Sequence, residues 1–79
     1  MKRWLMTLNE IIPFKPAIIK EINATGILLQ KLYDMGFIEG TSIKLIRYSP
    51  LKDPLEVELL SYHITLRVNE AKAVRVSYE

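Results

Sequence analysis

The residues best suited to chemistry are one histidine and a nearby pair of carboxylates. His63 is the only imidazole in the chain, and there is no cysteine. A transition-metal site usually recruits several His, Cys or carboxylate ligands, so a lone histidine argues against one. Glu56 and Glu58 share one face of a predicted strand, where such alternation usually reflects solvent exposure and not a catalytic acid and base. We therefore expect no catalytic residue, no metal ligand and no cofactor, and predict that the chain is not an enzyme.

Two glycines, Gly36 and Gly40, are the only other pattern with chemical potential, because glycine-rich loops cradle phosphates. Such loops follow a strand into a helix N-terminus and carry a Lys-Ser or Lys-Thr pair, and this sequence has neither feature. Gly36 instead follows an apolar helical pattern, where a glycine commonly ends a helix in the left-handed conformation. Both glycines are therefore predicted to have a structural role in the backbone and not a role in phosphate binding.

Exposed aromatic and apolar side chains beside charged loops are the remaining candidates for function. One group surrounds a predicted helix end and the other a proline-rich loop. The candidate partner-binding residues are Tyr33, Phe37, Ile38, Tyr48, Lys52 and Asp53. A purely structural interpretation stays open for several of them: Phe37 and Ile38 would cover the end of the core, and Asp53 would bond its own backbone in a turn.

Length and composition predict a single domain over residues 1–79. The chain is 49% hydrophobic and 25% charged, which is typical of a folded domain with a small core. The absence of cysteine favours a reducing compartment, and no apolar run is long enough to cross a bilayer. We expect a cytoplasmic protein without direct membrane insertion. The net charge of +2 gives a weak field, so nucleic-acid binding is disfavoured.

One short helix is predicted near the middle of the chain. Leu28, Leu32 and Met35 recur at helical spacing, and Thr25 precedes them as an N-cap whose hydroxyl would accept a backbone hydrogen bond. Gly36 should stop the helix at Met35. Phe37 is then placed to contact Leu32 across the helix end.

Alternating apolar and polar residues predict five or six short strands around this helix. Their patterns cover residues 4–8, 17–22, 43–45, 55–59, 64–68 and 74–78, and Asn69 is expected to cap a single turn between the last two. The strands at 55–59 and 64–68 should form a hairpin. So many short strands in so few residues predict an all-β fold, a small β-barrel with one short α-helix inserted.

Three groups of residues make the segment from 28 to 76 resemble the FeoA family, small proteins encoded beside the ferrous iron transporter FeoB. They are a Leu-x-x-x-Gly-x-x-x-Gly stretch (Leu32, Gly36, Gly40), a Pro-x-x-Asp-Pro loop (Pro50, Asp53, Pro54), and a Leu-Arg then Glu-Ala close (Leu66, Arg67, Glu70, Ala71). The chain departs from the family at two places: Lys31 stands where an arginine is frequent, and Ser61 stands where the hairpin turn commonly has a glycine.

The resemblance implies an SH3-like domain that binds the cytoplasmic part of FeoB and modulates ferrous iron uptake. It also implies recruitment to the inner face of the membrane and a family-level association with transition metal ions. The alternative is a regulatory or nucleic-acid-binding module, because the same domain resembles the C-terminal domain of iron-dependent repressors and the sequence pI is near 9.0. Weak homo-oligomers through paired edge strands are a third hypothesis.

Overall fold

The computed structural model describes residues 5–48 and 53–79. Within these two ranges the chain forms six strands, two α-helices and one 3-10 turn. Their bounds are β1 Met6–Thr7, a 3-10 turn Leu8–Glu10, β2 Ala17–Ile22, α1 Gly26–Asp34, β3 Ser42–Tyr48, β4 Leu55–Leu59, β5 Tyr62–Leu66, α2 Val68–Ala71 and β6 Val74–Tyr78. The expected all-β architecture with one short helix is confirmed, since α2 is a single turn.

All six strands belong to one antiparallel sheet with the spatial order β1-β6-β2-β3-β4-β5. The register shifts at Lys20 in the β2–β6 pair and at Ile46 in the β3–β4 pair. Each shift inserts one unpaired residue, which bends the strand and increases its twist. The sheet can thereby curve around a single core, and within the described residues β1 and β5 remain its two edges.

The core lies on the concave face of this sheet. The alternation in β4 is typical of every central strand: Leu55, Val57 and Leu59 are fully buried, while Glu56 and Glu58 lie on the outer face. The open side of the sheet is covered by side chains from the connections, chiefly Leu8, Ile11, Leu32, Phe37 and Ala71.

Helix α1 ends as the glycine pattern predicts. Gly36 has φ = 101°, and its N–H donates to the carbonyl of Tyr33 at 2.9 Å. The N–H of Phe37 donates to the carbonyl of Leu32 at 3.0 Å, which completes a Schellman motif. Both of those side chains are fully buried, so the predicted hydrophobic closure of the helix end is part of the core.

Four local predictions were wrong in detail. Among the described residues of the strand predicted at 4–8, only Met6–Thr7 lies in the sheet, because Glu10 accepts the Thr7 N–H at 2.8 Å and the chain turns inward at Leu8; Trp4 lies outside the described residues. The strand predicted at 64–68 spans Tyr62–Leu66, and Val68 begins α2. Thr25 occupies the N-cap position of α1, yet its hydroxyl makes no capping bond. Asn69 does not cap the single turn α2, whose N-cap is Arg67.

No helix among the described residues is both long and apolar enough to cross a membrane. The longest, α1, has nine residues, whereas a span needs about 20.

Candidate partner-binding surface

Four exposed apolar or aromatic side chains lie where the end of α1 meets the β4–β5 turn. Tyr33 and Ile38 flank the helix cap, and Leu60 and Tyr62 belong to the hairpin. We call these four residues the helix-end patch. Ile38 is 51% exposed and Leu60 is 59% exposed, so the fold leaves two large aliphatic side chains in water at this position. Exposed apolar side chains gathered at one junction of the fold are typical of an interaction site.

Contacts around Gly36 hold the helix end against the hairpin. The hydroxyl of Tyr62 donates to the carbonyl of Met35 at 3.2 Å. A methyl group placed on Gly36 would lie 3.1 Å from Leu60 Cδ1 and 3.5 Å from the Tyr62 hydroxyl. The absence of a side chain at residue 36 is therefore what lets the two halves of the patch approach each other.

Phe37 must be removed from the predicted surface. Its side chain is completely buried, because the Schellman motif turns residue 37 back over the last turn of α1 and into the core. Of the three residues predicted at the helix end, Tyr33 and Ile38 are exposed and Phe37 is not. A charged substitution at Phe37 would test the stability of the core and would not test binding.

The hairpin residues of the patch were missed by sequence reasoning. Leu60 and Ser61 both have positive φ, 54° and 72°, as the two central residues of a type I′ turn require. Asn-Gly is the usual sequence in such a turn, and each L-residue in the left-handed region costs about 1–2 kcal/mol. The positive φ of Leu60 and its place beside Gly36 follow from the folded sheet and could not be read from residues 60–62 alone.

A shallow groove of about 250 Å³ adjoins the patch. It runs between the start of β3 and the β4–β5 turn, and Ser42, Lys44, Glu58 and Leu60 line it. Two charged side chains of the groove, Lys44 and Glu58, form a polar border beside the patch. Lys44 Nζ lies 3.8 Å from Glu58 Oε1.

Of the second predicted surface, at the proline-rich loop, only Tyr48 and Asp53 lie among the described residues. Tyr48 is half-buried, and its hydroxyl donates to the carbonyl of Asn9 at 2.7 Å. Asp53 Oδ1 accepts the N–H of Val68 at 3.0 Å and so satisfies the first turn of α2. Both side chains hold the fold together. Lys52 lies outside the described residues.

Charged residues on the outer face of the sheet pair across three strands. Glu56, on β4, binds Arg47 of β3 through a 2.9 Å contact and His63 of β5 through a 2.6 Å contact. On the next row, Lys44 of β3 faces Glu58 of β4. The described residues contain no cluster of three or more His, Cys, Asp or Glu side chains that could hold a metal ion.

An ion pair fixes α1 to α2. Lys31 Nζ binds Glu70 Oε2, and the backbone N–H of Arg67 donates to the other carboxylate oxygen at 3.1 Å. The hydrogen bond from Lys31 lowers the pKa of the Glu70 carboxyl, and the Arg67 N–H adds to that effect. Lys31 thus has a structural role: it joins α1, the helix that ends at the patch, to α2.

Sequence comparison supports a family assignment. The family model of the FeoA domain matches residues 6–78. A putative Fe(2+) transport protein A from Campylobacter jejuni is 38% identical over 72 residues, which cover 91% of this chain and 97% of that protein. A Porphyromonas gingivalis protein that fuses Fe(2+) transport protein A to the Fe(2+) transporter FeoB is 28% identical over 71 residues. The match covers 90% of this chain and 8% of the fusion protein.

Solved structures share the fold. Iron(II) transport protein A from Clostridium thermocellum superposes with a TM-score of 0.89 at 37% identity, and the match covers 92% of this chain and 45% of that one. The zinc complex of Stenotrophomonas maltophilia FeoA, described as a prokaryotic SH3-domain protein, gives a TM-score of 0.74 at 28% identity. That match covers 91% of this chain and 89% of the other. The SH3-like fold expected from the resemblance is confirmed.

Proposed function

Because the chain belongs to the FeoA family, we propose that it is an accessory protein of ferrous iron uptake that binds the cytoplasmic part of the FeoB transporter and modulates transport. The observation that carries this proposal is the fusion relative, in which a homologous domain and a FeoB transporter form one polypeptide. Domains fused in one chain in one organism commonly associate as separate chains in another. The whole fusion protein is far larger than this domain, so the transport step itself belongs to FeoB.

The helix-end patch is the proposed contact surface. It combines two aliphatic side chains with two tyrosines, Tyr33 and Tyr62, and tyrosine is enriched at protein interfaces because it offers both apolar area and a hydroxyl. A charged border at Lys44 and Glu58 adjoins the apolar part. This arrangement of an apolar centre with a polar rim is the usual anatomy of a binding site.

Docking on FeoB would recruit this domain to the inner face of the membrane. No insertion into the bilayer is required of it. The proposed activity is therefore binding without chemistry, and any effect on transport passes through the conformational equilibrium of FeoB. A domain that binds one state of the transporter more tightly than another shifts that equilibrium by its difference in affinity.

Isothermal titration calorimetry with the cytoplasmic portion of the same organism's FeoB tests the proposal. The wild type is compared with Ile38→Asp and Leu60→Asp, each of which places a charge in the patch. Burying one such aliphatic side chain contributes about 1.5–3 kcal/mol, so each variant should bind about 10-fold to 100-fold more weakly. Asp tolerates the left-handed conformation of residue 60 better than Leu, so Leu60→Asp should keep the turn.

Ile27→Asp is the matched control. Ile27 is 89% exposed and lies near the opposite end of α1, about 9 Å from Tyr33 along the helix axis. It should leave the affinity unchanged. Titrations with and without guanine nucleotide then reveal whether binding depends on the state of the transporter.

Absence of binding to both the cytoplasmic portion and full-length FeoB in detergent would contradict the proposal. Retention of the domain on heparin at low salt, lost steeply as salt is added, would then favour the regulatory-module hypothesis. Equal loss of affinity in Ile27→Asp and Ile38→Asp would remove the helix-end patch from the account while leaving the partner in place.

A further inference from the structure

Strand β5 is an edge of the sheet and begins at the helix-end patch. It pairs with β4 on one side, and no described strand pairs with its other side. Tyr62 is both its first residue and a member of the patch. An exposed edge presents unpaired backbone donors and acceptors, to which an extended segment can add as a further strand.

The register identifies the free groups. The two-residue turn makes Leu59 and Tyr62 a hydrogen-bonded pair, and such pairs alternate with non-bonded ones along an antiparallel ladder. The backbone groups of Tyr62, Ile64 and Leu66 are therefore used by β4. Those of His63 and Thr65 point away from β4, so two N–H donors and two carbonyl acceptors are available for an incoming strand.

The side chains along the edge define what that strand should carry. On the inner side, Tyr62 is 43% exposed and Ile64 is half-buried, which favours apolar side chains in the partner. On the outer side, charge alternates from strand to strand. Lys44 and Arg47 of β3 are cationic, Glu58 and Glu56 of β4 are anionic, and His63, the residue of β5 that can carry a positive charge, contacts Glu56 at 2.6 Å. A carboxylate on the incoming strand would continue this alternation whenever His63 is protonated.

We propose that β5 accepts an extended segment of FeoB whose apolar residues alternate with polar ones and which carries an acidic side chain opposite His63. The proposal rests on the function proposed above and adds the binding mode and the chemistry of the partner segment. A second copy of this chain fits less well: in the antiparallel register that pairs the free groups of the two strands, His63 would face Thr65, which provides no carboxylate. The apolar contact at Tyr62 joins this strand to the helix-end patch.

Hydrogen exchange of individual amides, measured by NMR in the free domain and in its complex with the cytoplasmic portion of FeoB, tests the mode directly. The amides of His63 and Thr65 should exchange rapidly in the free domain and at least tenfold more slowly in the complex. The amides of Tyr62 and Ile64 should be protected in both states, because they bond β4. Binding without new protection at His63 and Thr65 would overturn strand addition and leave the proposed function standing, whereas absence of any binding would overturn both.

Two variants separate the backbone from the side chain. Thr65→Pro removes one outward N–H without touching the ladder to β4, and proline is tolerated at such edge positions. It should weaken binding about 2-fold to 10-fold, as loss of one backbone hydrogen bond predicts, while Thr65→Val keeps the N–H and should bind like the wild type. His63→Gln should also weaken binding.

Equal affinity of Thr65→Pro and Thr65→Val would contradict the proposal. Protection of His63 and Thr65 in the free domain that grows with protein concentration would contradict it as well, in favour of self-association. Thermal unfolding of each variant checks that the fold is retained.

Discussion

Alanine substitutions at two glycines with positive φ, Gly36 and Gly40, separate the effect of backbone strain from the effect of the close contact between residue 36 and Leu60. Their φ values are nearly equal, 101° and 93°. An L-residue in such a conformation costs about 1–3 kcal/mol, and alanine recovers about 0.5–1 kcal/mol by reducing the entropy of the unfolded chain. Each variant should therefore lose up to about 2.5 kcal/mol of unfolding free energy. For a domain of this size that lowers Tm by up to about 20 °C.

The surroundings of the two glycines differ. A methyl group at Gly36 would lie 3.1 Å from Leu60 Cδ1, whereas one at Gly40 would meet no atom within 4 Å. Leu60 is 59% exposed, and its Cδ1 is the end of a flexible side chain that can rotate away, so we expect the two variants to have Tm values within a few degrees of each other. Only Gly36→Ala should displace Leu60, and only Gly36→Ala should weaken binding to FeoB.

Thermal unfolding followed by circular dichroism, combined with calorimetric titration of FeoB, measures both effects. A Gly36→Ala variant much less stable than Gly40→Ala would mean that Leu60 is held rigidly. Equal affinities of the two variants for FeoB would mean that the position of Leu60 does not matter for binding. Either result would refute the reasoning that links this close approach to the patch.

Three further perturbations test the local physics. Ser61→Gly should raise Tm by about 2–8 °C in a thermal melt, because glycine relieves a positive φ worth about 0.5–1 kcal/mol net. Asp53→Ala should lower Tm by about 4–8 °C, because it removes the acceptor of the Val68 N–H, worth about 1 kcal/mol. Lys31 lowers the pKa of the Glu70 carboxyl from its ordinary value of 4.5, so the ionised carboxylate stabilises the folded state above pH 4.5 and this stabilisation is lost as pH falls through the folded-state pKa. Urea denaturation should therefore show that the loss of unfolding free energy in Glu70→Gln becomes smaller upon acidification.

Two of these changes have a control within the chain. Ser77→Gly, in the paired strand β6, should lower Tm, because glycine weakens a strand where no positive φ is relieved. Asp53→Asn keeps an acceptor oxygen and should lose less stability than Asp53→Ala. A Ser61→Gly variant that melts no higher than the wild type, or a Glu70→Gln deficit that grows in acid, would contradict the corresponding argument.

The parts of the fold that follow local rules could be predicted from the sequence. The alternation over residues 55–59 gave the bounds of β4 because one face of that strand is buried and the other is solvated. The end of α1 followed from the apolar spacing and Gly36. The same logic should have placed Phe37 in the core, since a Schellman motif turns the residue after its glycine onto the helix.

The remaining errors come from contacts between residues distant in sequence. Asn69 looked like a cap because nothing in its neighbourhood offered a better acceptor, yet Asp53 reaches α2 from 15 residues away. The helix-end patch was half predicted for the same reason. Tyr33 and Ile38 lie beside a recognisable helix end, whereas Leu60 and Tyr62 join them only because the sheet brings the β4–β5 turn against Gly36.

Binding of FeoB at the helix-end patch is the central claim, and an NMR titration of the isotopically labelled domain with the cytoplasmic portion of FeoB tests it most directly. The account predicts amide shift changes that centre on Tyr33, Ile38, Leu60 and Tyr62 and extend along β5. It predicts no change at Ile27, at the far end of α1. Spectra that do not change upon addition of the partner, or changes confined to the β1 edge, would contradict it.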